Sequence, residues 1–189
     1  MAGRRRGTSA LKWSLIGSGI AAGAALIPLI PAIKRRAMRV TTILTKDHRL
    51  VSGLISTLDI TPRLNAVVRE TLFWQIRTSV MVHIQAEEEI LYPVMRSLTF
   101  MSGESKTDES YREHQEIRGI LDDLATMDPN TDAFDTKFED FKRILKQHED
   151  REESEIFGVV RSEMSPEEQE RLGRRIHERK ILLKFRITA

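Results

Sequence analysis

The 189-residue chain has room for one ordinary domain plus an appendage. It contains no cysteine, which excludes disulfides, iron–sulfur clusters, thiolate zinc sites and cysteine nucleophiles together. Charged residues make up 31% and aromatics 6%, a balance that suits a helical bundle, and the net charge of +2 hides an asymmetry: residues 1–49 hold ten Lys and Arg against one acid, while the remaining 140 carry 20 against 27.

Arg4, Arg5, Arg6 and Lys12 precede 21 uncharged residues from Trp13 to Ile33, and Lys34, Arg35, Arg36 and Arg39 follow. At about 1.5 Å per residue the run just spans a hydrocarbon core of about 30 Å, so it is predicted as a transmembrane helix. Gly17, Gly19 and Gly23 dilute it, and Pro28 and Pro31 weaken the helix near its end. A cleaved signal peptide ending around Ala22 to Ala25 and a soluble or interfacial segment are the alternatives. The flank after the run is slightly the more basic, which places the body on the cytoplasmic side; without the anchor, the reading is a soluble cytoplasmic protein.

The first body helix is predicted from Thr41 to Leu58, with Thr61-Pro62 as cap and first-turn proline of a second helix reaching Leu98. Ser105-x-x-Asp108 reads as a capping box for a third helix reaching Met127, Asp128-Pro129-Asn130 is a turn, and a fourth helix runs from Asp132 to Glu163. Ser165-Pro166-Glu167-Glu168 starts a short fifth helix. From Arg171 onward seven basic residues face one acid, with Ile176, Ile181, Leu182, Leu183 and Phe185 among them, a tail suited to dock on the bundle or on an anionic membrane surface. Nothing further supports a nucleic-acid partner. The chain therefore divides into a basic N-terminus with membrane anchor (1–36), a helical body (37–164), and a short helix with basic tail (165–189).

The body carries a repeat: a solitary histidine followed by a His-x-x-x-Glu pair occurs twice, as His48 then His83 and Glu87, and as His114 then His148 and Glu152. The spacings, 66 residues from His48 to His114 and 65 from His83 to His148, describe a duplicated helical hairpin. Histidine and glutamate four apart project from one helix face, one turn apart. Any one such histidine alone is more often a satisfied core residue than a ligand, and surface His/Glu pairs are common helix decoration. The neighbours exclude decoration. Ile76, Val80, His83, Glu87, Ile90 and Val94 keep steps of three and four, as do Phe141, Leu145, His148, Glu152, Ile156 and Val159. His48 and His114 lead similar apolar stripes, Val51, Ile55, Leu58 and Ile117, Leu121, Leu124. Four helices thus aim a histidine inward. Burying these groups unpaired costs several kcal/mol each, roughly, and a metal pair supplies the compensation. Neutral imidazole suits iron, zinc, copper and nickel, and a carboxylate can span two ions. Glu88 and Glu89 read as a solvated face.

On Asp47-His48, His83-Ile-Gln-Ala-Glu87-Glu88-Glu89-Ile-Leu-Tyr-Pro93, Glu113-His114 and His148-Glu-Asp-Arg-Glu152-Glu153, the chain resembles the hemerythrin-like, or HHE cation-binding, domain family over roughly residues 40–160. The resemblance implies an all-α, up-down four-helix bundle around two non-haem iron ions. It implies that Glu87 and Glu152 bridge the irons, with His48 and His83 on one and His114 and His148 on the other. Oxygen-carrying members have a second histidine one turn from the first on the third helix; here those positions are Ser110 and Arg118, which speaks against simple oxygen carriage. Open positions remain for O2, NO or peroxide, and Glu113 or Glu116 is a candidate extra ligand. The expected function is binding or sensing of iron or a small oxidant or diatomic gas. The alternatives are a diiron enzyme reducing peroxide or nitric oxide, and a metal-free membrane-tethered scaffold, which leaves the inward histidines unexplained.

Overall fold

Apolar residues at steps of three and four from Val40 to Leu58 form one helix, and its buried face is Val40, Ile43, Leu44, His48, Val51 and Leu58. The chain's computed structural model describes residues 29–98 and 103–187, and every described element is helical. In order these are α1 (Leu29–Ala37), α2 (Val40–Ile60), α3 (Ala66–Ala86), α4 (Tyr92–Leu98), α5 (Gly103–Ala125), α6 (Asp132–Arg151), α7 (Phe157–Glu163) and α8 (Pro166–Ile187). A π-turn, Glu87–Leu91, joins α3 to α4, and another, Glu152–Ile156, joins α6 to α7. Four rods result: α2, α3 with α4, α5, and α6 with α7. The described connections, 61–65 and 126–131, are short, so the rods they join run antiparallel.

Several boundaries differ from the predicted ones. Thr61 is not the cap of the second helix but follows the end of α2, where its N–H donates to the Leu58 carbonyl; Pro62 lies in the connection and the helix starts at Ala66. The third helix is already under way at Gly103, ahead of the predicted start at Ser105. The fourth helix starts as expected, with Thr131 Oγ1 accepting from the Phe134 N–H at 3.2 Å.

The π-turns shift the buried face. Beyond Glu87 the fully buried side chains are Leu91, Tyr92 and Met95 rather than the predicted Ile90 and Val94, which are only partly buried. Beyond Glu152 they are Ile156, Phe157 and Val160, with Val159 only partly buried. One added residue per turn rotates the downstream helix by about 100°.

The expected short fifth helix is 22 residues long and packs against α2 and α3. A capping box starts it: the Ser165 N–H donates to Glu168 Oε2 at 2.8 Å, and the Glu168 N–H donates to Ser165 Oγ at 3.3 Å. Leu172, Ile176 and Leu183 join the core, whereas Ile181, Leu182 and Phe185 stay exposed. Gly173 is where the helix crosses the chain ahead of α2; a Cβ there would stand 1.9 Å from the Met38 carbonyl oxygen.

The predicted membrane span from Trp13 to Ile33 lies outside the described residues as far as residue 28, and its remainder belongs to α1, which also carries Lys34, Arg35 and Arg36. Among the described residues no helix is long and apolar enough to cross a membrane.

Two apolar clusters fill the bundle. One, including Leu44, Val82, Leu91, Tyr92, Phe157 and Ile176, lies towards α8; the other, including Val51, Phe73, Ile84, Leu121, Phe134 and Phe141, fills the opposite part. The inward histidines and glutamates occur in sequence where each rod passes from one cluster to the other.

Candidate metal centre

All six residues predicted as ligands are buried: His48 and His83 are 5% exposed and Glu87, His114, His148 and Glu152 between 0% and 1%. Each π-turn begins at its glutamate. Single π-turns inside α-helices are frequent at functional sites.

The side chains gather as two groups that share Glu87. In one, a ligand atom from each of His48, His83, Glu87 and Glu152 lies within 4.8 Å of the others; in the second, Glu87, His114 and His148 do the same. The Nε2 atoms of His48 and His83 stand 3.3 Å apart, as do those of His114 and His148. Glu87 divides its oxygens between the groups, with Oε1 3.1 Å from His83 Nε2 and Oε2 3.5 Å from His114 Nε2. Glu152 Oε2 lies 3.2 Å from His48 Nε2 and 3.9 Å from His83 Nε2. No hydrogen bond of good geometry reaches any of the four carboxylate oxygens of Glu87 and Glu152, although all are buried. Uncompensated carboxylates in such surroundings cost several kcal/mol each, roughly, and a multivalent cation among these nitrogen and oxygen donors removes that cost. The donor set therefore fits bound metal.

The sequence profile of the hemerythrin HHE cation binding domain matches residues 39–160. The chain belongs to this family. A hemerythrin HHE cation binding domain-containing protein from Mycobacterium kansasii has a similar crystal structure, with a TM-score of 0.67 over 77% of this chain and 87% of that one; at 20% identity the likeness is one of fold. A DNA nickase from Nostoc sp. (strain PCC 7120 / SAG 25.82 / UTEX 2576) is 28% identical over 160 residues, covering 84% of this chain and 44% of the relative. The chain thus spans less than half the length of that relative.

In this hemerythrin-like domain each histidine is oriented from behind. His48 Nδ1 meets Glu153 at 2.8 Å, His83 Nδ1 meets Asp47 at 3.4 Å, His114 Nδ1 meets Glu88 at 3.0 Å and His148 Nδ1 meets Glu113 at 2.9 Å. An ionised carboxylate only accepts, so Nδ1 donates its proton to it and Nε2 is the ring atom left facing the centre, the orientation that metal-binding histidines require. Cations hold three of these carboxylates in turn. Arg118 donates to both oxygens of Glu88 at 2.8 Å, Arg151 donates to Glu113 at 2.5 Å, and Lys180 of α8 donates to Asp47. Glu88 and Glu113 are half-buried and each lies between a histidine and an arginine, while Glu116 is exposed and Glu89 pairs with Arg179.

The acid–base properties follow from these contacts. Burial works to raise the Glu88 carboxyl, but the hydrogen bonds from His114 and Arg118 outweigh it and hold it at about 2. Burial is likewise outweighed at Asp47, by His83 and Lys180, and at Glu113, by His148 and Arg151, so both lie below their usual range. Burial lowers His148 to about 4. Burial and the nearby Glu87 carboxylate push Glu152 up to about 7. The phenol of Tyr92, fully buried 3.1 Å from His114 Nε2, is raised well above its ordinary value by burial and the charges of Glu87 and Glu152. The sequence motifs include Tyr92 and the carboxylates behind the histidines, but apart from Glu113 as a candidate ligand they assign these residues no place in the site. Their signal was position: Asp47, Glu113, Glu88 and Glu153 each adjoin a residue of the repeat.

Proposed function

We propose that the domain holds two iron ions, one among His48, His83 and Glu152 and the other between His114 and His148, with Glu87 as the carboxylate shared by both, and that it binds or senses a small oxidant or diatomic gas there. The observation that carries this reading is the division of Glu87 between two histidine pairs whose Nε2 atoms all face inward. Bound iron supplies open coordination positions and one-electron chemistry to a small ligand. The protein's part is to fix four imidazoles in one tautomer through their carboxylate partners and to exclude bulk water.

Burial supports a small ligand. Side chains exposed by 5% or less admit O2, NO or peroxide but not a large substrate, and three clefts of about 350, 320 and 200 Å³ are lined by none of the six residues. The same burial opposes action at a phosphodiester, which would have to reach the ions.

The test is metal analysis of the full chain loaded anaerobically with ferrous iron, followed by optical spectra on exposure to air, NO and peroxide. Two irons per chain and a spectral change with one of these ligands are expected. An iron content that never exceeds background, or two irons with a spectrum indifferent to all three, would overturn the reading.

A further inference from the structure

The two halves of the centre correspond until the fifth residue after each glutamate of the repeat. Tyr92 follows Glu87 and Phe157 follows Glu152, each the first residue beyond its π-turn. Each ring lies against a solitary histidine of the repeat: Tyr92 on His114 with centroids 5.4 Å apart and planes at 21°, Phe157 on His48 at 6.1 Å and 5°. The correspondence ends at one atom, the phenol oxygen.

That oxygen stands where the donor count is unequal. Four residues surround one position, His48, His83, Glu87 and Glu152, but three surround the other, Glu87, His114 and His148. Ligand atoms in adjacent positions on one ion, at about 2.1 Å from it, are roughly 3 Å apart. The 3.1 Å between the Tyr92 hydroxyl and His114 Nε2 falls at this spacing, as do the 3.3 Å separations within the histidine pairs.

We propose that Tyr92 is a metal ligand whose phenol oxygen completes the position formed by Glu87, His114 and His148, making the two ions of the centre chemically unlike. The proposal rests on the two-ion reading above. On coordination the phenol O–H bond breaks, an oxygen–metal bond forms, and the proton passes to the solvent buffer; no electron is transferred.

The chain has only two tyrosines, so the experiment is clean. The other, Tyr111, donates its hydroxyl to the Glu88 backbone carbonyl at 3.2 Å. The full chain is loaded with ferric iron, its iron counted, and its visible and resonance Raman spectra recorded beside those of Tyr92→Phe and Tyr111→Phe. A phenolate-to-ferric charge-transfer band with enhanced ring vibrations is expected in the wild type and in Tyr111→Phe, and its loss in Tyr92→Phe. Wild type that binds two irons without this band, or a band that survives Tyr92→Phe, overturns the assignment. Wild type that binds no iron overturns the two-ion reading instead. Should Tyr92→Phe fail to fold, ring-deuterated tyrosine in Tyr111→Phe decides: isotope-shifted vibrations there arise from Tyr92, and their absence overturns the assignment.

Discussion

Glu152→Gln separates the energetic role of the buried carboxylate from its place in the fold. Burial and Glu87 raise this carboxyl from 4.5 to about 7. At about 1.4 kcal/mol per pKa unit, keeping it ionised at pH 8 costs the folded, chelator-treated chain about 3 kcal/mol. A folded value above the unfolded one means that the contribution is fully present below 4.5 and is lost as pH rises through about 7. Glutamine keeps the shape and cannot ionise. In urea titrations with chelator, the two proteins should be nearly equal in stability at pH 5, and the variant should be the more stable by up to about 3 kcal/mol at pH 8. With iron the order reverses, because an amide supplies no charge to the ions and the wild type alone gains their full binding energy. A stability difference independent of pH would refute the electrostatic reasoning, and a variant that holds two irons as tightly as the wild type would refute the ligand role.

Asp47→Asn and Glu88→Gln each remove the charged partner of an imidazole Nδ1–H, and metal affinity measured by chelator competition should fall by about 10- to 100-fold; unchanged affinity would show that these carboxylates do not orient their histidines. Arg69 donates to the Pro129, Thr61 and Leu58 carbonyls and to Asp135, so Arg69→Leu should lose roughly 3 kcal/mol in urea unfolding while iron content stays the same. Gly173→Ala forces a methyl group against the Met38 carbonyl and should cost about 1–3 kcal/mol, with α8 becoming the first site of proteolysis; an unaltered melting temperature would argue against that close approach.

The repeat made the ligand candidates readable because buried imidazole is rare enough that four copies at matched spacing, each leading an apolar stripe, have few explanations. The carboxylates behind them were hidden for a geometric reason. Asp47, Glu88, Glu113 and Glu153 sit next to an inward residue, so on their own helix they point about 100° away from it, and only the neighbouring helix turns that direction into a contact. The π-turns were hidden as well, since a 3.6-residue period carries no mark of one added residue; Ile90, Val94 and Val159 therefore appeared to be the inward face where Leu91, Met95 and Val160 are. Tyr92 was passed over for the same reason, its position fitting the apolar stripe only after the added residue is counted. In the fifth helix the burial of Leu172, Ile176 and Leu183 follows helical spacing, but its partner, the junction ahead of α2, depends on Gly173, whose role no local pattern discloses.

The Lys180–Asp47 pair links the order of synthesis to the order in which the centre is finished. A chain emerging from the ribosome folds from its N-terminal side, and the surroundings of His114 and His148, with Glu88, Glu113, Arg118 and Arg151, are all present once residue 152 has been made. Asp47, which orients His83, receives its lysine only after the helix beyond the family segment has emerged. The two halves of a nearly symmetric site would therefore mature at different times, the His114 half first. A nascent chain arrested before residue 180 would present one half with its supporting charges complete and the other still awaiting its cation.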